Sequence, residues 1–133
     1  MIINKIRLSF LALVVILAAS AASPGQTKRV KFRRGDVSAE AAGMLSSYLT
    51  VRTYIVRVRE GQKLHLEQVG VDGGLITIKV IDPNGDPAGD ADASCNNRRE
   101  ISQTSRGDYV IEVSECRKAD PWRGRFTFRV TVR

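Results

Sequence analysis

One histidine, two cysteines, a run of acidic residues and several arginines are the side chains here with chemistry to offer. A hydrolase triad needs a base beside its nucleophile. The single histidine, His65, stands in the middle of an alternating segment, and no Gly-x-Ser-x-Gly elbow occurs, so no triad can be assembled. A lone histidine also excludes a histidine-rich metal centre, and a partly exposed strand position is its expected place. Asp82, Asn84, Asp86, Asp90 and Asp92 begin like a calcium loop. Glycine, however, takes the fourth place rather than the sixth, and no glutamate occupies the twelfth, so the segment reads as a solvated hairpin loop with calcium as the lesser alternative. The residues therefore predict a protein that is not an enzyme and needs neither cofactor nor metal.

The cysteines are informative through the compartment. Lys5 and Arg7 precede the apolar run Leu8 to Ala19, and Ala19-Ser20-Ala21-Ala22 supplies the small residues of a signal-peptidase site. The run is about 12 residues, short of the roughly 20 that a membrane-spanning helix requires. A cleaved signal peptide over 1–21 and a single domain over 22–133 are expected, with no membrane span after cleavage and a periplasmic or secreted location. In an exported chain two cysteines most often pair, so a Cys95–Cys116 disulfide is expected, with two free thiols as the alternative in a less oxidising compartment.

The formal net charge is +7, and cleavage would remove only Lys5 and Arg7 from the basic total. Nucleic acid is nonetheless a poor partner for this charge, because the chain is exported and no aromatics interleave a basic patch. Arg57, Arg59, Arg125, Arg129 and Arg133 are expected on outward sheet faces. There they serve solvation or meet an anionic envelope component.

The elements that must carry these residues are strands. Arg52 to Leu66 alternates on both sides of Glu60-Gly61-Gln62, which reads as a hairpin. A first strand over Thr27 to Phe32 turns Val30 and Phe32 inward, and Ser38 to Leu45 follows as a second strand. Ser46 to Val51 is a loop carrying Tyr48. After a turn at Gly70 to Gly74 comes a strand over Leu75 to Ile81, ended by Asp82-Pro83-Asn84-Gly85, then a long polar loop holding Cys95 and a short strand over Glu100 to Gln103. Asp108 to Ser114 is a strand, Glu115 to Trp122 a charged loop closed by Pro121, and Arg123 to Arg133 alternates without a miss. These elements predict an all-β antiparallel sandwich of about seven to eight strands. Its core is expected to hold Phe32, Tyr54, Val56, Val58, Leu64, Leu66, Ile78, Val80, Ile111, Val113, Phe126, Phe128 and Val130.

Val30-Lys31-Phe32-Arg33-Arg34-Gly35, Ser38-Ala39, Gly43, Tyr48, Thr53-Tyr54, Gly61-Gln62-Lys63 with His65, Gly107-Asp108-Tyr109 and the final alternating strand together resemble the periplasmic inhibitors of g-type lysozyme. These are small sandwiches similar to the bacterial prepeptidase C-terminal domain, and the resemblance runs from about Thr27 to Arg133. It implies a non-catalytic plug whose loops at one end of the sandwich enter a lysozyme cleft. Tyr48 falls at the family's loop tyrosine and Arg117 at the first arginine after the strand ending near Val113. No arginine is in register for the second, and Arg123 is the nearest. Two features depart from the pattern: Arg106 replaces a usual serine, and neither Cys95 nor Cys116 belongs to it. The partners implied are a lysozyme, foremost g-type. The alternative is a prepeptidase-like accessory module that binds a glycan or another envelope protein and inhibits nothing.

Overall fold

The computed structural model describes residues 27–46, 49–70, 74–89, 95–118 and 122–133. Among them are nine strands and no helix: β1 Lys28–Arg29, β2 Ser38–Leu45, β3 Arg52–Val58, β4 Leu64–Val69, β5 Ile76–Ile81, β6 Pro87–Ala88, β7 Arg98–Ile101, β8 Gly107–Glu115 and β9 Gly124–Val132. They form two sheets, ordered β1-β3-β8-β5-β6 and β2-β9-β4-β7. All pairings are antiparallel except β1 with β3, which is parallel. The all-β sandwich expected from the sequence is the fold. The expected signal peptide lies outside the described residues.

The segment Arg52 to Leu66 is not a hairpin. β3 pairs with β1 and β8, whereas β4 pairs with β7 and β9 in the other sheet. The Glu60-Gly61-Gln62 turn is an arch that carries the chain across the sandwich. The side-chain period is the same for an arch as for a hairpin, since both bury alternate residues, so alternation alone does not distinguish them. The arch is held from outside itself. Gly61 N–H donates to Thr104 O at 2.8 Å, Thr104 N–H to Gln62 O at 2.9 Å, and Lys63 N–H to Arg133 O at 2.8 Å. Gly61 has a φ of 76°, a conformation that costs glycine little.

Between the sheets the alternating residues meet as expected. Tyr54, Val56, Val58, Ile78, Val80, Ile111 and Val113 from one sheet face Leu64, Leu66, Phe126, Phe128 and Val130 from the other, all buried, and Phe32 packs against their margin. Tyr54 stands edge-on to Phe126 and Phe128, with ring centroids 6.3 and 4.9 Å away, an arrangement in which ring edge meets ring face. Its hydroxyl donates to Ala42 O at 2.9 Å, joining the sheets at their edge. Gly43 lies against that hydroxyl and the Phe126 ring: a Cβ there would stand 2.7 Å from Phe126 Cζ.

The outer faces carry several charge pairs. On one sheet Arg29 and Arg57 flank Asp108, and the hydrogen bond from the Arg29 guanidinium holds that carboxyl below its ordinary range. On the other, His65 sits between Glu67 and Glu100 at 3.7 and 3.4 Å, partly exposed as its place in an alternating strand implied. Arg129 points outward and reaches Glu40 at 3.1 Å and Glu67 at 3.7 Å.

Candidate partner-binding surface

Register fixes which connections share an end of the sandwich. Leu45 is opposite Gly124, Arg52 opposite Val113, Val69 opposite Thr127 and Ile76 opposite Glu115. The β2–β3, β4–β5 and β8–β9 connections therefore emerge together. Arg117 and Arg123, expected at a site from the resemblance, both lie on the β8–β9 connection at this end and both are exposed. Tyr48 belongs to the β2–β3 connection but lies outside the described residues. On either side of it, the Ser46 and Thr50 hydroxyls share a hydrogen bond of 2.9 Å.

The β8–β9 connection is fastened where it leaves the strands. Cys116 is buried and disulfide-bonded to Cys95, with Cα atoms 4.5 Å apart, so the expected bridge is present. Cys95 N–H donates to the Thr77 hydroxyl at 2.9 Å. Leu75 O accepts two hydrogen bonds, from Cys116 N–H at 3.0 Å and from Trp122 Nε1–H at 3.3 Å. Gly74 is the surface on which Trp122 lies, since a Cβ there would stand 2.6 Å from Trp122 Cε2.

Two residues of this region were not legible in the sequence as core. Glu115, expected to open a charged loop, continues the inward face of β8 after Tyr109, Ile111 and Val113 and is 1% exposed. Its Oε1 accepts Trp122 N–H at 2.8 Å, while Oε2 is buried without a hydrogen-bond partner among the described residues. Period 2 extended by one residue would have placed it inside. Arg99, expected in a polar loop, is buried in β7 and donates from Nε to Ile78 O at 2.8 Å, crossing from one sheet to the other. Nothing in its neighbours announces that.

Exposed apolar side chains gather at the same end. Among the described residues five large hydrophobics are exposed, and four of them lie here: Met44 at 52%, Leu49 at 86%, Val51 at 41% and Leu75 at 51%. Arg117 lines a cleft of about 380 Å³ with Val51, Lys79, Glu112 and Glu115. A surface of this composition, apolar side chains beside guanidinium groups, suits a protein partner, since arginine and large apolar or aromatic groups enrich the cores of interfaces.

The other sequence candidates are elsewhere. Asp82 Oδ1 accepts N–H donations from Asn84 at 2.9 Å and Asp86 at 3.0 Å, closing the β5–β6 hairpin as a side-chain turn. Asp90 and Asp92 lie outside the described residues. Among the described residues no group of three or more histidine, cysteine or carboxylate side chains could hold a metal ion. No helix among them is long and apolar enough to cross a membrane.

No family model matches the chain, and no curated protein matches it. Solved structures do. The chain is similar to Aeromonas hydrophila PliG, a periplasmic inhibitor of g-type lysozyme, at 19% identity and a TM-score of 0.63, over 80% of this chain and 96% of that one. Salmonella Typhimurium PliG, also a periplasmic inhibitor of g-type lysozyme, aligns at 19% identity and a TM-score of 0.58, over 82% and 99%. The pre-peptidase C-terminal domain of a Bacillus anthracis collagenase aligns at 16% identity and a TM-score of 0.50, over 83% and 97%. The chain has the sandwich fold that these proteins share.

Proposed function

We propose that this chain is an exported, non-catalytic inhibitor of a lysozyme, g-type foremost, acting in the periplasm or after secretion. The observation that carries the reading is the concentration of exposed apolar residues and arginines on one loop end of a fold shared with PliG inhibitors. In this reading Tyr48, Arg117 and Arg123 enter the enzyme's cleft. A glycosidase cleft presents catalytic carboxylates, at least one ionised, and a guanidinium pairs with them by charge-assisted hydrogen bonds while occupying the place of substrate. The disulfide, the Leu75 carbonyl and Glu115 fix the base of the loop that carries Arg117 and Arg123, which lowers the ordering cost on association.

A second reading rests on the likeness to the collagenase domain: an accessory module that binds glycan or another envelope protein without inhibiting anything. Lysis of a cell-wall suspension separates the two. Purified protein is mixed with g-, c- and i-type lysozymes, and the first reading expects the g-type rate to fall. Unchanged rates with all three at micromolar protein favour the accessory module. Tyr48→Ala and Arg117→Ala should each weaken g-type lysozyme binding by about 2 kcal/mol or more, with thermal stability nearly unchanged. Equal affinity of both variants and wild type removes these residues from the site.

A further inference from the structure

Several cations on the flanks of the sandwich have a carboxylate partner: Arg29 and Arg57 share Asp108, Lys63 meets Glu100, Arg98 meets Glu67, and Arg129 meets Glu40 and Glu67. Among those that do not, three converge on one groove. Lys28, Arg52 and Arg125 stand on three different strands, β1, β3 and β9, and none forms an ion pair among the described residues. All three line a groove of about 470 Å³ between the edge of β2 and the start of β3, together with Gly43, Met44 and Tyr54. Among the described residues no carboxylate lines this groove, whereas the clefts lined by His65, by Arg59 and by Arg117 each include at least one.

The groove is built rather than incidental. Arg52 Nε–H donates to Met44 O at 2.7 Å, which fixes the guanidinium, and its terminal amino groups have no acceptor among the described residues. The Tyr54 hydroxyl donates to Ala42 O, so both carbonyls on this part of the β2 edge are occupied. In an antiparallel strand the N–H and C=O of one residue leave on the same side, so the amides of Ala42 and Met44 face the groove as further donors. Burial pushes the Tyr54 phenol up to about 12, so the hydroxyl adds no negative charge at neutral pH. The result is a concave surface of cations and N–H donors with no anion among the described residues.

We propose that this groove is a binding site for a small oligoanion, its charge carried on carboxylate or phosphate groups and its size that of one or two sugar rings. Fixed donors and like charges from three strands converge on one ligand-sized space, and an oligoanion neutralises several at once by charge-assisted hydrogen bonds. The proposal does not depend on lysozyme inhibition, because Lys28, Arg52 and Arg125 stand on strands and not on the loops proposed to enter the enzyme, although Met44 borders both surfaces.

The test is a titration of the purified protein with citrate and with inositol hexakisphosphate at low salt, followed by amide chemical shifts, with maltose as the uncharged control. The expected result is that at least one anion first shifts the amides of Ala42 to Met44 and Arg52 to Tyr54. A Lys28→Gln/Arg125→Gln double variant should weaken that binding at least tenfold, and Arg52→Gln should do the same. Tighter binding of citrate or of the phosphate ester then identifies the charged group. The proposal is overturned if neither anion binds, if maltose gives the same shifts, or if shifts spread equally to the opposite end around Arg34, Arg59 and Arg106. It is likewise overturned if the folded double variant binds as wild type does, or if only an acidic polypeptide such as polyglutamate binds.

Discussion

Tyr54 does three things with one side chain, and each depends on the others. Its ring fills the space between Phe126 and Phe128, its hydroxyl ties β3 to the β2 edge through Ala42 O, and burial keeps that hydroxyl protonated to about 12 against an ordinary value of 10.0. The consequence for stability has a definite sign. Below pH 10 both folded and unfolded chains hold the proton and the contribution is fully present. Between pH 10 and about 12 the unfolded chain releases it first, so stability falls as pH rises, by on the order of 1 kcal/mol per pH unit across the window. Tyr54→Phe removes the hydrogen bond and the titration together. At pH 7 it should be less stable than wild type by about 1 kcal/mol, the usual net worth of such a bond. In urea titrations repeated toward pH 11 the gap between the two midpoints should close. A constant gap would show that ionisation of Tyr54 is not coupled to folding. Glu115 is the contrasting residue: a carboxyl group in the core with one oxygen bonded to Trp122 N–H and the other without a partner among the described residues, a costly arrangement that holds a loop in place.

At the scale of elements, alternation identified the strands and their inward residues but not their partners. β2, β5, β8 and β9 match their expected spans to within a residue or two, and all but one of the expected core residues are buried, with Phe32 at the margin. The Arg52 to Leu66 hairpin was misread because the contacts that make it an arch come from Thr104 and Arg133, far along the chain. The first strand is shorter than its alternation suggested, and its parallel pairing with β3 has no local signal. For the candidate site, the sequence supplied Arg117, Arg123 and the disulfide but not the parts that hold them, because Leu75 O and Gly74 act through backbone and through the absence of a side chain. The disulfide makes this testable. Replacing both Cys95 and Cys116 by serine should destabilise the fold by roughly 3 kcal/mol if the bridge acts through chain entropy, lowering the melting temperature by on the order of 10 °C. Where the variant is still fully folded, it should also bind a g-type lysozyme more weakly, since the loop after Cys116 must then be ordered on association. Undiminished binding by the folded variant would separate the bridge from the site.

The whole molecule distributes its charge unevenly. The net charge is +7, and several of the carboxylates that offset it are engaged on the sheet faces, Asp108 with two arginines and Glu67 with Arg98, Arg129 and His65. The exposed cations Arg117, Lys118 and Arg123 gather at the loop end without an ion pair among the described residues, and Arg52 and Arg125 lie on the adjoining flank. A field concentrated at one end steers an acidic cleft toward that end before contact, whereas apolar side chains such as Leu75 act only once water is excluded. The two contributions should therefore separate in kinetics. With a g-type lysozyme, raising salt from about 0.01 to about 0.5 M should slow association by on the order of tenfold or more while changing dissociation less. Leu75→Ser leaves the charge and the Leu75 carbonyl in place, so it should speed dissociation several-fold with association nearly unchanged. Surface plasmon resonance with the enzyme immobilised measures both rates. Association that ignores salt would remove steering from the account, and a Leu75→Ser variant that dissociates like wild type would place the apolar end outside the interface.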